Sequence, residues 1–322
     1  MEFGFKLIAE AYTPKDLVRQ TVQAEQAGFD FVEISDHFHP WLPEQGHSGF
    51  AWSILAAAAA KTERIRLATG VTCPFIRYHP AIVAQAAATT ALLADDRFTL
   101  GVGAGERLNE HVVGGGWPSV RVRHEMLREA LEIIRLLWQG SAQSYEGKHL
   151  TLEDARVYDL PDVAPAIAVA ISGPKSARIA AELGDGIFAT EPEAELTQAY
   201  ADAGGTGAKY AEVPLSFADD PQAAAESAHR LFRFGALGWK VMADLPNVVN
   251  FDAATAFINP DDMAEQFACG RDVERYVEVA QQFVDAGFDH LALVNAGPDP
   301  DGFFDFYERE LAEPLRALRP TG

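Results

Sequence analysis

The chain has 322 residues, 48% of them hydrophobic, and carries 47 acidic against 26 basic residues for a net charge of −21. Such acidity excludes a nucleic-acid partner, whose phosphates would be repelled, and no apolar run reaches the roughly 18 residues a membrane span needs. Two cysteines make neither a disulfide framework nor a zinc cluster. Short apolar runs then alternate with helical patterns in chain order. Strands are predicted over 3–9, 29–34, 65–70, 98–103, 166–171, 186–189, 214–217 and 290–294. Helices are predicted over 14–27, 50–62, 80–94, 121–138, 174–183, 221–234, 273–286 and 303–318. Leu127, Leu131, Ile134 and Trp138 keep one helical face. Pro14, Pro80, Pro174 and Pro221 stand where a first helical turn begins.

Eight strands alternating with helices predict a parallel α/β fold, and the length fits a (β/α)8 TIM barrel with loop insertions at its C-terminal face. A doubly wound sheet is the runner-up. No composition shift divides the chain, so residues 1–322 are read as one domain. Residues 140–152 read as a small hairpin. Residues 236–270 hold Trp239, Met242, Pro246, Phe251 and Phe257 in no single period, as an insertion over the barrel mouth would. The start, Met-Glu-Phe-Gly-Phe-Lys, lacks the basic and apolar regions of a signal peptide, and a reduced, cytoplasmic setting is expected. Arginine outnumbers lysine, which fits a surface adapted to salt as well as an ordinary acidic one.

The unusual residues fall behind the strands. Ser35-Asp36-His37-Phe38-His39-Pro40-Trp41 follows the second and offers an acceptor, a group titrating near neutrality and a flat apolar wall. Thr72-Cys73-Pro74 and Arg77-Tyr78-His79-Pro80 follow the third; Gly103-Ala104-Gly105-Glu106 and Asn109 follow the fourth; Ser172-Gly173-Pro174-Lys175-Ser176 follows the fifth. In a barrel these loops share one face, the face that carries active sites. The glycines of 101–105 have the wrong spacing and place for a dinucleotide fingerprint. They are read as letting a flat ring approach, with Glu106 at its edge. Residues 172–176 end a strand and open a helix, which suits a phosphate or an ordinary cap. His37, His39 and His47 match no common zinc spacing, and no metal is expected. Nothing near Cys73 lowers its pKa, so it is read as a small packing residue.

Together these stretches, with Phe75-Ile76-Arg77-Tyr78-His79-Pro80 and Gly103-Ala104-Gly105-Glu106-Arg107-Leu108-Asn109-Glu110, resemble the bacterial luciferase-like superfamily. Within it they resemble the branch that uses the deazaflavin coenzyme F420. That branch includes F420-dependent glucose-6-phosphate and secondary alcohol dehydrogenases, and the alcohol enzymes look closer. The resemblance implies a (β/α)8 barrel, a homodimer, coenzyme F420 and hydride transfer to or from a small-molecule substrate. It implies that His37 exchanges a proton with substrate, Trp41 walls the substrate and Glu106 serves the ring as acid or base. Asp36, Cys73, Ala104 and Asn109 would contact the cofactor. Ser172, Gly173, Lys175 and Ser176 would hold its phosphate, and Gly70-Val71 would be a cis peptide behind the ring.

Where the sugar-phosphate enzyme resembled here binds phosphate, this chain has Ala189-Thr190-Glu191-Pro192-Glu193, Gln266 and Pro246-Asn247 in place of cations. A small neutral alcohol or carbonyl compound is therefore expected. A sugar phosphate, an FMN-dependent monooxygenase and a non-catalytic cofactor-binding protein remain the alternatives.

Overall fold

A computed structural model describes residues 1–321. Its centre is a closed barrel of eight parallel strands: β1 Glu2–Leu7, β2 Phe31–Ile34, β3 Arg66–Thr69, β4 Phe98–Val102, β5 Ala166–Ala170, β6 Gly186–Ala189, β7 Ala208–Phe217 and β8 His290–Asn295. Closure is by β8 against β1, with Phe3 facing Leu291 and Phe5 facing Leu293 in register. The sheet has no free edge between first and last strand, so the doubly wound alternative is excluded. A three-residue strand, Ala268–Gly270, lies parallel to the last residues of β7.

Helices α1 Pro14–Gln26, α2 Ala51–Ala59, α3 Pro80–Leu93, α4 Val120–Leu137, α5 Pro174–Leu183, α6 Ala194–Asp202, α7 Pro221–Phe232 and α8 Val273–Asp285 surround the barrel. Proline opens α1, α3, α5 and α7 because its missing N–H has no helical acceptor at that position. Thr13, His79 and Asp220 cap three of these helices by accepting from the N–H of Asp16, Ala81 and Gln222. Leu127, Leu131 and Ile134 are buried along one face of α4, and Trp138 donates to the Ala84 carbonyl at 3.0 Å. Gln143–Glu146 and Thr151–Ala155 form the expected hairpin.

Two features differ from the sequence expectation. β7 begins at Ala208 rather than Pro214, and α6 was not foreseen. The segment 236–270 forms the short helices Trp239–Met242, Val248–Ala254 and Pro260–Gln266 and then the short strand. Phe234, Met242 and Phe251 pack on Trp41, Leu42 and Leu108, so this segment sits on the loops that follow β2 and β4. The Arg107 N–H donates to the Ala243 carbonyl at 3.0 Å and adds a backbone tie. Among the described residues no helix is long and apolar enough to cross a membrane.

Alternation along the strands sorts side chains between the helix layer and the barrel interior. Phe31, Phe188, Tyr210, Ala168 and Ala292 form one interior cluster. Gly4 is required there, since a Cβ on it would meet the Phe31 ring at 2.3 Å. The interior also holds ions. Lys6 Nζ lies 2.6 Å from Glu212 and 3.4 Å from Glu33, and donates to the Gly70 carbonyl at 2.6 Å. Burial pushes Glu33 up to about 8 despite Lys6, and Glu212 adds to the rise. One proton therefore resides among the two carboxylates near neutral pH, and a single lysine balances the remaining charge.

Removing one partner of a buried ion pair strands the other and costs about 3–5 kcal/mol. Lys6→Met is expected to lower stability by that amount, and Lys6→Met combined with Glu33→Gln and Glu212→Gln to recover part of it. Urea denaturation of the three proteins measures this. A single variant as stable as the parent would mean that the lysine does not hold the interior together.

Candidate active site

Because all eight strands run the same way, their exits gather at one end. β1 delivers Glu10 and β2 delivers Ser35, Asp36 and His37. β3 delivers Thr72 and Cys73, and β4 delivers Glu106, Asn109 and Glu110. His37 is the link among them. Its Nδ1 lies 2.5 Å from Glu10 Oε1, and its Nε2 lies 3.6 Å from Glu106 Oε1. The Glu10 oxygen is off the line of a hydrogen bond, so the contact is an ion pair first. Ser35 donates to the other Glu10 oxygen at 2.7 Å, and Ser48 donates to the His37 carbonyl at 2.8 Å. The ring sits edge-on to Trp41, with centroids 4.9 Å apart at 78°. Trp41 in turn stacks on Phe234 at 4.8 Å and meets Phe251 edge-on at 5.0 Å.

Burial alone would lower the His37 pKa, but the Glu10 carboxylate, with Glu106 behind it, raises it above 6.5 against the opposing charge of Arg77. Burial would likewise raise Glu10; the imidazolium and Ser35 bring it down from 4.5 to about 2. Each charge thus favours the other, the carboxylate holding the imidazole's proton and the imidazolium holding the carboxylate ionised. Glu10 contributes its share of stability above pH 4.5 and loses it as pH falls toward 2. His37 contributes below pH 6.5 and loses its share as pH rises through its own raised value. The contact is fully present between those two pH values.

A second network lies beside this pair. Asp36 accepts from Thr72 Oγ1 at 2.7 Å and from the Tyr78 hydroxyl at 3.0 Å, and faces Arg77 Nη2 at 3.1 Å. The Arg77 N–H donates to Glu110 at 3.0 Å. Burial, then the charge of Glu106, push Glu110 up to about 8, so it is mainly protonated near neutrality. Asn109 accepts from the N–H groups of Phe38 and His39, both at 2.8 Å, and donates to Glu106 at 2.7 Å. One amide thus sets both the β2 loop and the Glu106 carboxylate. The Cys73 thiol is buried and pushed well up, by burial first and Glu110 next, so it is no nucleophile.

The sequence expectation placed Asp36 and Asn109 against a cofactor. Both side chains are buried and tied to their neighbours, so they position the rim around them. The glycines after β4 are tightly packed. A Cβ on Gly101 would meet the Thr69 carbonyl at 1.9 Å. One on Gly103 would meet Val71 at 2.8 Å, and one on Gly105 would meet Cys73 Sγ at 2.8 Å. Close packing of β3 on β4 by itself requires them. Ser176 is also turned inward: it accepts from the Ser172 N–H and donates to the Gly173 carbonyl. It shapes the 172–176 loop and leaves Lys175, exposed at the start of α5, as the cation there. Ala104 lies in the loop that brings Glu106 to the site, and the Gly70-Val71 peptide is cis. His39 and His47 do not join the cluster. Among the described residues no three His, Cys, Asp or Glu side chains converge as metal ligands.

Sequence reasoning missed Glu10 and gave no role to Arg77, Tyr78 and Glu110. Only Arg77 and Tyr78 carried a local signal, in Arg77-Tyr78-His79-Pro80 directly behind a strand.

A closed parallel barrel with ionisable side chains gathered at its strand exits defines an enzyme of the (β/α)8 class. The model of the luciferase-like monooxygenase family matches residues 1–290, and the chain belongs to that family. It is 35% identical to the F420-dependent glucose-6-phosphate dehydrogenase of Nocardia farcinica (strain IFM 10152), over 99% of both chains. It is 36% identical to the enzyme of the same description from Beutenbergia cavernae, over 98% of both. Among solved structures it is similar to an F420-dependent secondary alcohol dehydrogenase in complex with an F420-acetone adduct. That likeness has a TM-score of 0.90 and 29% identity, and covers 98% of this chain and 99% of the other.

Replacing Glu10 with glutamine removes the main charge that raises His37. In an NMR titration of Glu10→Gln the His37 midpoint is expected to fall below its wild-type position, because burial and Arg77 then dominate. An unchanged midpoint would assign the raised value to something other than Glu10.

Proposed function

We propose that the protein is an F420-dependent oxidoreductase acting between the coenzyme and a small neutral alcohol or its carbonyl counterpart. The observation that carries this reading is His37, held between two carboxylates beneath an indole wall. The relatives at 35% and 36% identity and the similar alcohol dehydrogenase structure support the coenzyme. The donor set fits it: Lys175 and the free N–H groups of the first turn of α5 suit a phosphate, and Val71, Cys73 and Ala104 line the exits of β3 and β4 where a ring would lie. Bound F420 supplies two-electron hydride chemistry. The cytoplasmic homodimer that completes the reading rests on the family alone.

The protein's own part is proton handling. For alcohol oxidation, neutral His37 takes the hydroxyl proton at Nε2, and Glu10 stabilises the imidazolium that results. In the reverse direction the imidazolium donates. Trp41 excludes water from that nitrogen. Because the His37 pKa is raised, oxidation is expected to quicken as pH rises through that value, and reduction to quicken as pH falls through it. His37→Ala is expected to lower turnover about 10²–10⁴-fold while the coenzyme Kd changes little. Near-normal turnover in the variant would remove His37 from the reaction. In the same titrations F420 is expected to bind more tightly than FMN; equal or tighter FMN binding would point to a monooxygenase.

A sugar phosphate is the second reading, and overall identity favours it, since curated relatives at 35–36% act by name on glucose 6-phosphate. Charge favours the neutral substrate. The rim after β6 carries Glu191 and Glu193, and partial desolvation, with Glu193 adding, raises the Glu191 pKa. Arg77 is engaged by Asp36 and Glu110. Arg233 is engaged by Glu44 at 3.0 Å and Asp252 at 2.7 Å. A phosphate dianion there would find acids or occupied cations. Each charge-assisted hydrogen bond it lacks is worth roughly 1.5–3 kcal/mol, so isopropanol is expected to exceed glucose 6-phosphate in kcat/KM. A higher value for the sugar phosphate at both low and high salt would decide for the second reading.

A further inference from the structure

The ionic layer inside the barrel takes no part in the proton handling at His37, yet it lies directly against the β3 exit. We propose that Lys6, Glu33 and Glu212 form a charged floor that sets how tightly reduced coenzyme is held relative to oxidised coenzyme. The inference rests on the coenzyme reading and adds to it three side chains that lie within the strands rather than at their exits.

Geometry is the first argument. Lys6 and Glu33 are direct partners in the register of β1 and β2. Glu212 reaches the same ammonium from β7, at 2.6 Å. The three press on one residue of β3's exit. A Cβ on Gly70 would meet Lys6 Nζ at 3.1 Å and Glu33 Oε1 at 3.2 Å, and Lys6 donates to the Gly70 carbonyl at 2.6 Å. The Gly70 N–H donates to the Ile34 carbonyl at 2.8 Å, which fixes it against β2. The residue that follows, Val71, packs on Gly103 and lines the place proposed for the ring. The ammonium is thus one residue of backbone away from that place.

Charge is the second argument. Burial alone would lower the Lys6 pKa, but Glu212 and then Glu33 raise it, so the ammonium persists; Glu10, the partner of His37, adds to the rise. The floor and the active site therefore share one field. One proton held by the two carboxylates keeps the floor neutral overall, and Glu33 Oε2 is buried with no partner to steady a further negative charge. As pH rises through about 8 that proton is lost, and Glu212, partly exposed, gives it a route to solvent. The floor is then negative. A ring that gains a hydride gains negative charge, which a neutral floor tolerates and a negative floor opposes. By linkage, reduction of the ring strengthens proton binding in the floor by the same factor.

Other charged groups surround this layer. Tyr210 on β7 is pushed up by burial, and Arg66 and His290 are engaged by Glu2 at the far end of the barrel. At the mouth Glu110 also titrates near 8. Substitution, not the midpoint alone, must therefore assign a pH effect to the floor.

The test measures the Kd of oxidised and of reduced F420 by calorimetry on both sides of pH 8 in wild type, Glu33→Gln and Glu212→Gln. Across that range the ratio of reduced to oxidised Kd is expected to rise about 5–30-fold more in wild type than in Glu33→Gln, the lower part of the span that coupled sites show. Glutamine keeps the neutral state of the acid, so below pH 8 this variant should match wild type. Glu212→Gln leaves one carboxylate for one ammonium and should flatten the ratio in the same way. Binding of reduced F420 near pH 8 should take up a fraction of a proton in wild type and less in either variant, as read from binding heats in buffers of different ionisation heat. A ratio that climbs equally in wild type and both variants would overturn the floor's role and leave the coenzyme reading standing. Failure of wild type to bind F420 in both forms would remove both.

Discussion

The contact between Glu10 and His37 is the constraint around which the upper end of the barrel is arranged. Each group alone would lose its charge on burial, since an isolated buried ion costs several kcal/mol. Together they keep both charges, and the cost of burial becomes a fixed distance between the exits of β1 and β2. That distance can be kept only if neither group can turn away. Ser35 holds the second oxygen of Glu10, Ser48 holds the backbone of His37, and the edge of His37 is stopped by Trp41. The insertion that follows α7 closes the far side of Trp41 through Phe234 and Phe251. A residue some two hundred positions away in the chain thus limits where an imidazole near the start can point.

The neighbouring network obeys the same logic with different signs. Asp36, Arg77, Glu106 and Glu110 bring three carboxyls and one guanidinium into a small buried volume. Arg77 cannot balance all three, and protonation of Glu110 near neutral pH relieves the excess. Beneath them Lys6 repeats the arrangement, with one cation, two carboxylates and one raised pKa. Its hydrogen bond to the Gly70 carbonyl ties the interior layer to the loop that leads to Thr72 and Cys73. The rim and the interior are therefore mechanically joined through β3. This explains why glycine is needed on β4, where the two strand exits press together.

How much of this was legible in the sequence follows from what each signal depends on. The strands stood out where their helix-facing residues are apolar, as in Phe3, Phe5 and Leu7. The start of β7 did not, because Tyr210 and Glu212 face an interior that is partly ionic. Its Ala-Lys-Tyr-Ala-Glu stretch has no apolar run. The helices of 236–270 are too short to show a period. Within the site, Asp36, His37 and Trp41 were visible because they are adjacent and chemically unusual. Glu10 was not, since one acid among 47 becomes meaningful only when folding sets it against a histidine from another strand. Asp36 and Asn109 stood out in the sequence, but the neighbours they hold, Thr72, Tyr78 and Arg77 for one and Phe38, His39 and Glu106 for the other, are set only by the folded chain.

Charge is distributed unevenly in a way the net value of −21 conceals. At the barrel mouth Arg77 is matched by Asp36 and Glu110, and Arg233 by Glu44 and Asp252. Along α4 and the start of α5 positive charge is left over. An anion approaching this surface is repelled at the mouth and attracted beside it. The field would lose most of that effect in salt, because its sources lie in exposed side chains. The Glu10–His37 pair, sealed from solvent, would not. Orientation by the surface and proton handling in the interior are thus separable by ionic strength, because they come from different charged residues.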